Sequence, residues 1–64
     1  MSTLTTLPLY SVARLTSELH GWPAGTVGTI VEDYGEAGAE FEIADSEGMT
    51  LGLFGVAWSA LERA

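Results

Sequence analysis

His20 is the only histidine in the chain and its only side chain that titrates near neutrality in an ordinary setting. With Glu18 two residues earlier, it has the makings of an acid/base pair or of part of a metal site. Glu40 and Glu42 form a second candidate pair. On a strand they would lie about 7 Å apart on one face, from a rise of ~3.4 Å per residue. Paired carboxylates hydrolyse glycosides when a sugar-sized cleft runs between them, and so small a chain has little room for one. Neither pair is completed by its surroundings. Cysteine is absent, no serine stands in a nucleophile motif, and one histidine falls short of the three or four protein ligands that zinc takes. Asp33, Glu36, Asp45 and Glu47 lack calcium-loop spacing. Gly25-x-x-Gly28 lacks the downstream Gly-Lys-Ser/Thr that grips phosphates. The plainer reading is a loop histidine and a solvated sheet face, with no catalytic site, no metal and no cofactor; the chain reads as a non-enzyme.

Charge narrows the partners. Nine acids against two arginines, with no lysine, give a net charge of −7. Binding to a phosphate backbone needs a cationic face, so nucleic acid is not expected, nor is an anionic membrane. The same balance suits a basic protein partner. Arg14 is expected to pair with Glu32, Glu40 or Glu42 across strands.

The large side chains outnumber the places in a small core. Leu51, Leu53, Phe41, Ile43, Val27 and Val31 are expected nearly to fill it, leaving aromatic surface over. Trp22, Tyr34, Phe54 and Trp58 are therefore candidate binding residues, since Trp and Tyr concentrate at interface hot spots. The competing reading makes Trp58 a plug at one end of the fold, and that reading is preferred for Trp58. For Trp22 and Phe54, burial and exposure stay open. Leu19 and His20, in the same loop as Trp22, complete the candidate surface.

Sixty-four residues make one domain. A chain this short buries only about 60% of its unfolded surface, and without disulfides a partner or self-association is one route to stability. Residues 1–7 read as a lead-in and residues 8–64 as the domain. The first strand is expected over 9–15, with Val12 and Leu15 in the core. A long loop follows over 16–24, around His20-Gly21-Trp22-Pro23. The two glycines of Gly25-Thr26-Val27-Gly28 signal a sharp bend or a close approach, and the β-branched residues after them a strand to Asp33. After a turn at 34–38, Ala39, Phe41 and Ile43 alternate with Glu40 and Glu42, placing the apolar set inward. Asp45-Ser46-Glu47-Gly48 reads as a tight hairpin with Gly48 at a left-handed bulge position. A fourth strand over 49–56 is expected to turn Leu51 and Leu53 to the core. One helical turn over 57–61 then brings Trp58 and Leu61 to one side, before a short last strand. The architecture is all-β: an SH3-like, five-stranded small barrel with one helical turn before the last strand. No apolar run approaches a ~20-residue membrane span. Met1 to Leu9 lacks the parts of a signal peptide, so a cytoplasmic location is expected.

These residues resemble a family of very small bacterial SH3-like proteins known only as a domain of unknown function. Its pattern is an apolar first strand, a long loop, Gly-x-Val-Gly-Thr-Val-Val-Glu, a Val/Glu-rich strand, Asp-x-x-Gly-x-Thr-Leu and a final Leu. The matching residues are Val12 and Leu15; Gly25, Val27, Gly28, Thr29, Ile30, Val31 and Glu32; Phe41; Asp45, Gly48, Thr50 and Leu51; and Leu61. Arg14 departs from the small or apolar residue usual there, and Gly52 and Gly55 thin the fourth strand. A weaker similarity, carried by Gly25, Gly28, Ile30 and Trp58 to Leu61, is to the barrel of the nitrile hydratase β subunit and its activator relatives. There the metal is held by cysteines of the other subunit, so the resemblance implies only an accessory role. The Gly-x-x-Gly turn is also similar to KOW elements, which bind RNA through basic residues absent here.

The function expected is non-catalytic protein binding, as a small adaptor or accessory subunit. Leu19, His20, Trp22, Tyr34, Phe54 and Trp58 form the surface, and an acidic rim steers a basic partner. The alternative is an acidic immunity- or antitoxin-type inhibitor that occludes a basic partner protein.

Overall fold

The computed structural model describes residues 6–64. Five strands, β1 (Val12–Leu15), β2 (Val27–Asp33), β3 (Ala39–Ala44), β4 (Thr50–Val56) and β5 (Leu61–Arg63), form one antiparallel sheet in the order β4-β3-β2-β1-β5. Two 3-10 turns, Gly35–Ala37 and Trp58–Ala60, are the only helical elements among the described residues. The fold is all-β, as expected. Its outer strands, β4 and β5, share no ladder among the described residues. Of the lead-in, residues 1–5 lie outside the described residues, and Leu7 belongs to the buried core.

The hairpin between β3 and β4 forms for the anticipated reason. The Gly48 N–H donates to the Asp45 carbonyl, and Gly48 takes a φ of 85°. The Asp45 carboxylate caps the turn, accepting from the N–H groups of Glu47 (2.9 Å) and Met49 (3.0 Å). The strand β3 keeps its period of two, with Ala39, Phe41 and Ile43 buried and Glu40 and Glu42 half-buried on the other face. Phe41 and Ile30 have no exposed surface, and Leu15 almost none, so the core is centred on them.

Three strand faces differ from expectation. In β1, Ala13 and Leu15 are buried while Val12 is exposed. The strand begins only after a turn in which the Ser11 N–H donates to the Pro8 carbonyl, with Tyr10 at a φ of 67°. That turn separates Leu9 from the strand and sets its phase. In β2 the buried residues are Gly28 and Ile30, whereas Val27 is exposed and Val31 half-buried. A Cβ on Gly28 would lie 2.6 Å from Phe41 Cζ and 2.5 Å from the Glu42 carbonyl oxygen. Gly28 thus faces inward because the Phe41 ring occupies the space a side chain would need, and Val27 must then face out. Gly25 serves differently: it holds a φ of 89° in open space, a conformation that costs an L-residue about 1–2 kcal/mol.

The third inversion is in β4. Leu51 and Leu53 are 55% and 54% exposed, and Gly52, Phe54 and Val56 face the interior. Directly opposed residues of an antiparallel pair share a face. Phe54 stands opposite Phe41 and Val56 opposite Ala39, so the phase of β3 dictates that of β4.

Candidate functional site

The long loop contains a structural unit of its own. Leu19 and Trp22 exchange backbone hydrogen bonds of 2.9 and 2.8 Å, while His20 and Gly21 take φ values of 51° and 85°. Positive φ at both central residues is the type I′ geometry of a two-residue hairpin. Gly21 adopts it freely; His20 does so at a cost. A Glu18 carboxylate oxygen accepts the Gly21 N–H at 3.3 Å and steadies the turn.

This small hairpin lies against the inner face of β4. The Trp22 indole sits over Gly52, where a Cβ would come within 3.1 Å of Nε1 and 3.3 Å of Cζ2. The His20 ring meets Phe54 edge-on, with centroids 4.8 Å apart and planes at 68°. Phe54 in turn meets Phe41 at 6.1 Å. A chain of rings therefore runs from an exposed loop tip to the centre of the core. Leu19, Trp22 and Phe54 are all half-buried and packed against that core, which answers the question of their burial: each has one side on the core and one towards solvent.

Trp58 does not belong to this surface. It is buried, and its indole N–H donates to the Gly35 carbonyl at 2.7 Å. It is the plug, tying the two 3-10 turns together. Tyr34 is also separate. Its ring is exposed and its hydroxyl donates to Glu40 at 3.3 Å, on the outer side of the sheet. The Tyr34 phenol is held above its usual 10.0, first by partial desolvation, then by the charge and hydrogen bond of Glu40, with Glu32 adding. Of six candidate residues, Leu19, His20, Trp22 and Phe54 come together; Tyr34 and Trp58 stand elsewhere.

The carboxylates are engaged singly. Glu40 accepts from Tyr34 and Glu42 from the Thr50 hydroxyl, so neighbours on the sheet occupy both. Arg14 pairs with Glu62 of β5 at 2.8 Å, not with an acid of β2 or β3. Cross-strand register explains the correction, since Arg14 lies opposite Glu62 on one side and Val27 on the other. Among the described residues no three His, Asp or Glu side chains gather as a metal site, and no helix is long and apolar enough to cross a membrane.

Sequence reasoning missed a second surface. Leu51 and Leu53 of β4 and Val12 and Val27 of β1 and β2 are about half exposed on the outer face. The cross-strand row Val12–Thr29–Glu42–Leu53 places two polar side chains between two apolar ones on that face. The missed signal was the strict inward phase of β3, which could have been carried across to β4.

Fold and site together define a small all-β domain with an aromatic loop-to-sheet cluster. No protein-family model, no curated protein and no solved structure matches the chain.

Proposed function

We propose that this chain is a non-catalytic protein-binding module, an adaptor or accessory subunit, whose contact surface is the hairpin tip at His20 with Trp22 and Phe54. The observation that carries the reading is the His20–Phe54–Phe41 ring chain. It anchors an exposed tip rigidly to the core, and a pre-ordered aromatic surface loses little entropy on binding. Non-catalytic action is part of the proposal, supported by the single histidine and by a sequence in which no serine stands in a nucleophile motif and cysteine is absent. An SH3-like identity is part of the proposal, supported by the strand order and by β1 lying between β2 and β5. So is a cytoplasmic setting.

A net charge of −7 favours a basic partner, and the inhibitor reading draws on the same charge. Affinity capture from native lysate, with the mass of the complex measured by light scattering, tests the module. A stoichiometric partner lost on combined His20→Ala and Trp22→Ala substitution supports this surface, provided the variant keeps its far-ultraviolet spectrum. Undiminished capture by that variant removes the surface from consideration. If the captured protein is a basic enzyme whose activity falls on binding, the inhibitor reading replaces the adaptor.

A further inference from the structure

The outer face of the sheet carries three acids that no cation among the described residues neutralises. Glu32 of β2 and Glu40 of β3 stand directly opposite one another, so they share a face with Cβ atoms about 4.5–5.5 Å apart. Like charges in that position work against the pairing of their strands. Glu42, two residues along β3, lies on the same face, about 7 Å from Glu40. The chain has two arginines and no lysine. Arg14 of β1 is held by Glu62, and Arg63 belongs to β5, at the far end of the sheet.

Each of the three carboxylates is fixed through one oxygen and keeps the other free. One oxygen of Glu40 accepts the Tyr34 hydroxyl, one of Glu42 the Thr50 hydroxyl, and one of Glu32 the Asp33 N–H. The second oxygen of each has no partner among the described residues. Glu40 and Glu42 are half-buried, and partly buried charges are screened less than solvated ones. Beside them the sheet leaves room. Gly55 of β4 lies opposite Glu40, and a Cβ there would find nothing nearer than Glu40 Oε1 at 3.9 Å. Leu53, opposite Glu42, is more than half exposed on the same face.

We infer that this face binds an extended segment of a partner protein carrying two arginines two residues apart, the first guanidinium bridging Glu32 and Glu40 and the second meeting Glu42. This goes beyond the hairpin-tip reading and does not rest on it.

The acceptors select arginine. A guanidinium is a planar fork that donates in two directions at once, and Glu32 and Glu40 offer one free oxygen apiece. Spacing selects an extended segment. Residues i and i+2 of such a chain point to one side about 7 Å apart, the separation of Glu40 from Glu42. Shape places the stems. The methylenes of the first arginine cross the open floor at Gly55 and those of the second lie along Leu53, as arginine stems do on apolar surface. The exposed Tyr34 ring, hydrogen-bonded to Glu40, adds an aromatic face of the kind on which guanidinium groups stack. A net charge of −7 draws such a segment in.

The probe is acetyl-Arg-Thr-Arg-Thr-amide, titrated into the isotopically labelled full chain and followed by amide NMR shifts. A second peptide carries citrulline for both arginines, which keeps the shape and removes the charge. The arginine peptide is expected to bind with a Kd of about 1 mM or below, at least about tenfold tighter than the citrulline peptide. The amides that move should be those of Glu32, Glu40, Glu42, Leu53 and Gly55. Glu40→Gln and Glu42→Gln should each weaken binding about fivefold or more. Glu47→Gln removes the same charge from the hairpin turn and should change binding less than about twofold. Gly55→Val should weaken binding as much as the glutamate variants while leaving the urea midpoint no lower, since valine suits a strand. It keeps the test open should a glutamate variant fail to fold. Equal binding of the citrulline peptide, an equal loss in Glu47→Gln, or no binding of the arginine peptide overturns the inference. Shifts confined to residues 18–22 overturn it as well, and credit the hairpin tip instead. Binding at this face, with lysate capture indifferent to the His20 and Trp22 substitutions, upholds it and removes the tip.

Discussion

Gly28→Ala tests the account of the core most directly. The added methyl would lie 2.5 Å from the Glu42 carbonyl oxygen, 2.6 Å from Phe41 Cζ and 2.9 Å from Phe41 Cε1. The ring could yield only by leaving the centre of the core, where Phe41 has no exposed surface. The carbonyl could yield only by parting β2 from β3. Overpacking ordinarily costs 1–3 kcal/mol, and with backbone as one obstacle the upper end, about 3 kcal/mol, applies here. A domain of this size is stable by roughly 3–10 kcal/mol, at 0.05–0.15 kcal/mol per residue. The substitution therefore removes between a third and all of it. In urea, with a slope of about 1 kcal/mol per molar for a small domain, the unfolding midpoint should fall by about 3 M. Gly25→Ala is the comparison. No atom stands within 4 Å of its Cβ position, and its cost comes only from the φ of 89°, about 1–2 kcal/mol. A Gly28→Ala midpoint within about 0.5 M of the parent, or a loss smaller than that of Gly25→Ala, would refute the packing and with it the inward phase of β2.

The other expectations follow from single contacts. Phe54→Ala should lower stability by about 2–3 kcal/mol, since the half-buried ring packs on Phe41, while Leu53→Ala, at a position 54% exposed, should cost under about 1 kcal/mol; thermal melts showing the reverse order would restore Leu53 to the core. Trp58→Phe leaves the Gly35 carbonyl without its 2.7 Å donor and should cost about 1–3 kcal/mol, read from the same urea titrations. Ultraviolet titration should find one tyrosine above 10.0, and Glu40→Gln should lower that value. Because the neutral phenol is favoured in the folded state, its contribution is complete below 10.0 and is lost as pH rises from there through the folded pKa. Breaking the Arg14–Glu62 pair, exposed on both sides, should change stability by less than about 1 kcal/mol, with the effect shrinking in salt.

What could be read in the sequence depended on whether a strand carried its own polar marker. In β3, Glu40 and Glu42 alternate with Phe41 and Ile43, and glutamate is costly to bury, so only one phase was admissible and it is the one observed. The hairpin at Asp45–Gly48 was equally legible, because glycine at a left-handed position and aspartate capping are local chemistry. Thr50-Leu51-Gly52-Leu53-Phe54-Gly55-Val56 has no such marker. Leucines fall on one face and Phe54 and Val56 on the other, so either phase buries a comparable apolar area, and only pairing with β3 decides. The β2 phase was hidden for the opposite reason, since Gly28 faces inward through what it lacks. The candidate site was half legible. Aromatic surplus pointed to Trp22 and Phe54, but His20-Gly21 is not among the Asn-Gly, Asp-Gly and Gly-Gly pairs that mark a type I′ tip.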